Sequence, residues 1–359
     1  MEITAGVENF TSFHVKEDKK LIPEQLVAYI LSYLNFRNVF SSSIVSKYLY
    51  KCSQLTTVVN ITNFEPDFEI SNLKKILSRF EIIKSLTIDN CKRIDNNLLA
   101  DIIAHAKLAD TVKLEQFFCR DLRLLMILNG ISKQVKSIKL SGIAFCQEKT
   151  RNFFTSSMKN TLQKVNLNGF RTLCDKDIEN IFENSPNMKE ATFEDCTKLK
   201  TININASRLK SLSFARCVLL EGINAIDLKA LENFDISNCR SFKSSSFEKL
   251  LMQGDLKCLK MIDMRFCSAI KIVEIANNNP MNNLISINME GCTKLVEVKL
   301  KNVPILSELK VGMCLALERI SIIAPKLLRL DLSMMDQLNT INIDCKNLKK
   351  KCDGIYERA

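Results

Sequence analysis

The stretch Leu284-Ile285-Ser286-Ile287-Asn288-Met289-Glu290-Gly291-Cys292 decides the fold. Its skeleton is apolar-x-apolar-x-x-Cys, carried by Ile287, Met289 and Cys292. Apolar residues at period two make a short strand with one buried face, and the residues between them point the other way. The chain must then turn inward, and the residue in the cysteine slot fills that turn as a small buried hydrophobe. The same skeleton ends in Cys91, Cys196, Cys217, Cys239, Cys267 and Cys314, and Phe64, Phe117, Ile143, Phe170 and Met335 hold the slot elsewhere. Successive slots lie 27, 26, 26, 27, 26, 21, 22, 28, 25, 22 and 21 residues apart. One such unit cannot bury its own face, so units stack into a solenoid. Twelve strands at ~4.8 Å each span roughly 50 Å of parallel sheet.

The returns between strands come in two styles. Leu98, Leu99, Ile102 and Ile103 have helical spacing, as do Ile178, Ile181 and Phe182. After Cys196, Cys217, Cys292, Cys314 and Met335 the returns are shorter and end in alternating pairs such as Ile202/Ile204 and Ile320/Ile322, which predicts an extended outer side. Helix returns at Phe247 to Leu251. This pattern resembles the leucine-rich repeat, in its cysteine-containing class, over about residues 56 to 348.

The segment ahead of the array has a different period. Leu26, Ile30, Leu31 and Leu34 recur at helical spacing after Pro23, and Ile44, Val45, Tyr48 and Leu49 repeat it. Three short helices cannot bury this apolar surface alone, which marks Ile22, Leu26, Ile30 and Leu34 as a partner-helix face. The stretch resembles an F-box: Ile22-Pro23 matches its opening, Ile30-Leu31-x-x-Leu34 its central run, and Val45-Ser46-Lys47 its closing triplet. It departs from that motif at Leu49, where tryptophan is usual, and at Gln25, where an acid is usual. A helical cap for the first repeat is the alternative reading, because solenoids need caps.

The expected fold class is therefore α/β: a small N-terminal helical module followed by a curved leucine-rich-repeat solenoid of about 12 turns. The expected divisions are a loose tail (1–18), the F-box-like module (19–55), the solenoid (56–352) and a C-terminal tail (353–359).

Composition excludes several classes. Hydrophobic content of 46% and charge of 25% fit an ordered domain. No apolar run reaches the ~20 residues of a membrane helix, and Met1 to Lys20 has no secretory pattern. Fourteen cysteines invite disulfides or zinc, but no Cys-x-x-Cys pair occurs, only His14 and His105 are available, and seven cysteines fall on the slot. Reduced thiols in the cytoplasm or nucleus are expected, with no metal and no cofactor. No phosphate-binding glycine loop or His-Glu-x-x-His helix is present, so no catalytic residue is assigned and an enzyme is not expected.

Net charge is +11. Nucleic acid would be the first partner to consider, yet from Ser85 onward the three outward positions per strand hold nine acidic residues against six basic. The excess cations lie on returns and ends, including Lys346, Lys349, Lys350 and Lys351.

By resemblance, the F-box docks on a SKP-type adaptor of a cullin ubiquitin ligase through Ile22, Pro23, Leu26, Ile30, Leu31, Leu34 and Val45. The repeats then present a protein substrate on the inner face, through Glu194, Asp235, Asp263, Arg265, Asn288, Glu290, Lys310, Arg329 and Asp331. A repeat scaffold without a ubiquitin role is the alternative, and a basic RNA-associated scaffold is a third reading.

Overall fold

The computed structural model describes residues 58–62, 83–89, 109–115, 135–140, 160–275, 281–335, 337–345, 348–352 and 354–358. The F-box-like module (19–55) and the slots Phe64, Cys91, Phe117 and Ile143 lie outside the described residues. In chain order the strands begin with β1 (Val58–Thr62), β2 (Ser85–Asp89), β3 (Thr111–Glu115), β4 (Ser137–Leu140) and β5 (Lys164–Asn166). Helix α1 (Asp175–Asn184) follows, then β6 (Glu190–Thr192), β7 (Thr201–Ile204), β8 (Ser211–Ser213), β9 (Gly222–Ala225) and β10 (Asn233–Asp235). After α2 (Ser244–Gln253) come β11 (Met261–Asp263), β12 (Ile272–Ile275), β13 (Ser286–Asn288), β14 (Glu297–Leu300), β15 (Glu308–Lys310), β16 (Arg319–Ile323) and β17 (Arg329–Asp331). The last three are β18 (Thr340–Asp344), β19 (Leu348–Cys352) and β20 (Ile355–Arg358).

The inner sheet has the order β1-β2-β3-β4-β5-β6-β8-β10-β11-β13-β15-β17-β20-β19. Its first twelve strands match the twelve slots of the sequence, one strand per repeat, and run parallel. Outer strands form a four-stranded sheet, β12-β14-β16-β18, and a pair, β7-β9. This is the solenoid that the period required. Repeats of 21 or 22 residues return as strands, whereas the 26- and 28-residue repeats at Phe170 and Cys239 return as α1 and α2. A helix is about 10 Å across against ~4.8 Å for a strand, so α1 and α2 take more room on the outer side than the strand returns do.

The core follows the period-two pattern. Leu212, Phe214, Ile262, Met264, Ile287, Met289, Leu309 and Val311 are buried, and so are the slot cysteines from Cys196 to Cys314. Aromatic rings join neighbouring repeats: Phe193 stacks on Phe214 at 5.4 Å and takes an edge contact from Phe182 at 6.1 Å. Each helix start also fixes the strand of the following return. The Asp175 carboxylate accepts the N–H groups of Lys200 and Thr201, and Ser244 Oγ accepts those of Lys271 and Ile272.

Residues 353–359, expected as a tail, contribute β20 instead. β20 pairs antiparallel with β17 and with β19, closing the inner sheet with a hairpin. Gly354 permits this: its φ is +73°, and a Cβ there would lie 2.5 Å from Ser333 Cα. β19 is left as the edge strand of the inner sheet at this end.

Candidate functional site

Each inner strand offers three outward positions, represented by Ser286, Asn288 and Glu290 in β13 and just after it. Cross-strand register carries the middle positions side by side, in the order Asp235, Asp263, Asn288, Lys310 and Asp331. The last positions include Glu194, Arg265 and Glu290, and the first positions include Glu308 and Arg329. All nine residues read from the sequence therefore share one face, and from Asp235 to Asp331 that face spans ~19 Å.

Their partners divide them into two groups. Glu194 and Asp195 grip Arg216 from the next repeat, at 2.7 and 2.8 Å. The hydrogen bond that Arg216 donates to Asp195 is the main reason its guanidinium titrates above its usual range. Asp263 pairs with Arg265 at 2.8 Å, Lys310 with Glu308 at 3.0 Å, and Arg329 reaches Glu357 of the hairpin at 3.9 Å. Hydrogen bonds donated to Asp263 push the Arg265 guanidinium up as well, against partial desolvation, with help from the charges of Asp235 and Glu290. Asp235, Glu290 and Asp331 make no ion pair within 4.0 Å among the described residues, though Arg265 lies close enough to Asp235 and Glu290 to feel their charge.

The middle position has a second duty that the sequence reading did not assign. Asp235 Oδ1 accepts the Ser237 N–H at 2.8 Å, Asp263 Oδ1 the Arg265 N–H at 3.1 Å, Asn288 Oδ1 the Glu290 N–H at 3.1 Å and Asp331 Oδ1 the Ser333 N–H at 2.9 Å. Asn166 and Ser213 do the same in earlier repeats. These short side chains hold the strand's exit in a local turn, as Asx residues do. Four of the nine residues read from the sequence thus hold the strand's exit turn.

A further column lies just before each slot. There the backbone is left-handed, with φ between +54° and +78° at Gly169, Asp195, Arg216, Asn238, Phe266, Gly291, Met313 and Met334. Gly, Asn and Asp tolerate that conformation, whereas long side chains do so at a cost. Phe266, Met313 and Met334 are nevertheless 40%, 39% and 67% exposed. The turn signal needed to find them was legible as Gly169, Asn238 and Gly291 at the same offset.

Slot thiols are tied to the preceding repeat. Cys217, Cys239, Cys267, Cys292 and Cys314 donate from Sγ to the carbonyls of Phe193, Phe214, Ile236, Met264 and Met289, at 3.0 to 3.2 Å. Burial pushes every one of these thiols up, Cys217 and Cys314 to about 12. Among the described residues no group of His, Cys, Asp and Glu could hold a metal ion, and no helix is long and apolar enough to cross a membrane.

The sequence matches no family model and no curated protein. Among solved structures, Rad7 in its complex with Elc1 from yeast shares 12% identity over 89% of this chain and 91% of its own, with a TM-score of 0.49. The leucine-rich repeat domain of APL1B shares 13% identity over 94% and 96%, with a TM-score of 0.39. The leucine-rich repeat-containing protein LegL7 from Legionella pneumophila shares 14% identity over 58% of this chain and 82% of its own, with a TM-score of 0.33. At these identities and scores the likenesses say nothing about a partner or an activity.

Proposed function

We propose that this chain is a substrate-receptor subunit of an SCF-type ubiquitin ligase. Residues 19–55 dock on a SKP-type adaptor and so on a cullin, and the inner sheet holds a protein substrate. The observation that carries the reading is the register of Ile22-Pro23, Ile30-Leu31-x-x-Leu34 and Val45-Ser46-Lys47 immediately ahead of a repeat array. The array supports it physically. Strands fixed by neighbours on both sides offer a preformed surface, so capture of a partner loses little conformational entropy. In this reading the protein performs no chemistry, needs no cofactor or metal, and works in the cytoplasm or nucleus. The acidic lean of the outward positions, nine acidic residues against six basic, favours a basic protein element over nucleic acid on that face.

A pull-down of the full chain with purified SKP-type adaptor tests the first half. Wild type should bind, and Leu26→Asp together with Ile30→Asp should not. Wild type failing to bind ends the ubiquitin reading and leaves a repeat scaffold with a helical cap, the alternative favoured by Leu49 in place of the usual tryptophan and by Gln25. Salt-sensitive binding of a single-stranded RNA on the inner face would favour the third reading.

A further inference from the structure

The left-handed column changes character along the solenoid. From Gly169 to Asn238 it holds Gly, Asp, Arg and Asn. From the eleventh strand onward it holds Phe266, Gly291, Met313 and Met334. These four are neighbours in successive repeats, because each donates its N–H to the next repeat or is the next in that series: Phe266 to Glu290 O, Gly291 to Gly312 O, and Met313 to Ser333 O. The Phe266 ring leans along the column over Gly291, where a Cβ would meet ring carbons at 2.4 Å. Glycine there leaves room for the ring as well as supplying φ +70°. The result is an exposed apolar ridge spanning ~14 Å from β11 to β17.

Neither conformation nor the core explains this ridge. A long side chain at positive φ costs more than Asn or Gly, and with Phe266, Met313 and Met334 40%, 39% and 67% exposed, burial offsets that cost only in part. The ridge borders the face on which Asp235, Glu290 and Asp331 lack ion-pair partners among the described residues. Carboxylates flank the ridge: Glu290 lies beside Phe266, Asp331 is in the repeat of Met334, and Asp235 is one repeat before Phe266. The complement of ridge and carboxylates together is a segment with apolar side chains spaced by lysine or arginine.

We infer that the Phe266–Met313–Met334 ridge seats the apolar side chains of a short basic–apolar segment of a partner protein, whose cations meet Asp235, Glu290 and Asp331. This rests on the inner face being the partner-binding surface.

The test uses the full chain and three fluorescent synthetic peptides of about eight residues, ~26 Å extended. One alternates Lys with Leu, one Lys with Ser, and one Ser with Leu. Oligo(U) RNA is the fourth probe. The Lys–Leu peptide should bind best at physiological salt. Combined Phe266→Asn, Met313→Asn and Met334→Asn should weaken it at least about tenfold. Because asparagine suits positive φ, the urea midpoint of that variant should stay level or rise. A merely structural ridge would instead lower the midpoint, and that result overturns the proposal. So does equal binding of Lys–Leu and Lys–Ser peptides, or tighter binding of oligo(U) that the Asn variant abolishes. If Asp235→Asn with Glu290→Gln weakens the Lys–Leu peptide but the Asn variant does not, the inner-face reading stands and the ridge proposal falls. If neither variant changes binding, or no peptide binds, both fall.

Discussion

The slot thiols permit a quantitative test of the stacking. Cys217 is fully buried, donates to Phe193 O at 3.1 Å, and its pKa is pushed from the ordinary 9.0 up to about 12, chiefly by burial. At pH 8 a thiol of pKa 9 is roughly one-tenth thiolate, and one of pKa 12 roughly 10⁻⁴, about a thousandfold less. Nucleophilicity rises with pKa and returns part of that, leaving a chemical handicap of roughly fiftyfold. Burial adds the requirement that the repeat open before iodoacetamide can enter. Timed alkylation with mass spectrometry should therefore show Cys217 and Cys314 unlabelled while Cys258, which is exposed, is consumed. Labelling of Cys217 as fast as Cys258 without denaturant would refute the register. The same shift has a pH sign. The unfolded thiol loses its proton near pH 9 and the folded one only near pH 12, so stability is complete below pH 9 and falls across that window. At pH 10 each such thiol should cost on the order of 1.4 kcal/mol, read as a falling urea midpoint.

Asp235→Ala removes the acceptor for the Ser237 N–H and the Ser213 hydroxyl, so it should cost about 1–2 kcal/mol in urea unfolding, while Asp235→Asn, which keeps an oxygen at that point, should cost under about 0.5 kcal/mol. Gly291→Ala should cost about 1–2 kcal/mol from its positive φ, with the exposed Phe266 ring swinging aside to admit the methyl group; an unchanged unfolding midpoint would argue against that turn. Gly354→Ala meets Leu332 and Ser333 backbone, which cannot swing aside, and should undock the hairpin, seen as faster hydrogen exchange across residues 348–358 with the earlier repeats unaffected.

The solenoid was legible because its signal is repeated. Ile287, Met289 and Cys292 say little alone, but the same spacing at Leu212, Phe214 and Cys217 and at Leu309, Val311 and Cys314 leaves one register in which all are buried. Return style was legible too, because Ile178, Ile181 and Phe182 have the helical period and Ile202 and Ile204 have the strand period. The C-terminal hairpin was not. It occurs once, and its strands are read from pairing with β17 rather than from an apolar period, since β19 carries Lys349, Lys350 and Lys351. Phe266 and Met313 were missed for a different reason. Nothing about an isolated Phe or Met announces a positive φ, and only alignment with Gly169, Asn238 and Gly291 exposes the conflict.

The turn chemistry also decides which part of the inner face is free to recognise anything. Six middle residues present a short acceptor to the N–H two residues on, namely Asn166, Ser213, Asp235, Asp263, Asn288 and Asp331, whereas Thr192 does not. Replacing Asp235 or Asp263 by lysine would alter charge and strip that turn together, so loss of capture would not identify a contact. Lys310 escapes this duty: its chain extends to Glu308 rather than to its own backbone. The first positions, such as Arg329, and the last, such as Glu290, carry no such constraint, nor does the left-handed column beyond its demand on φ. Middle residues can lend their charge but cannot change size without loosening the strand's exit. On the proposed reading of this face, discrimination between partners falls to the flanking rows, and Glu290 and Phe266, side by side in adjacent repeats, stand where those rows meet.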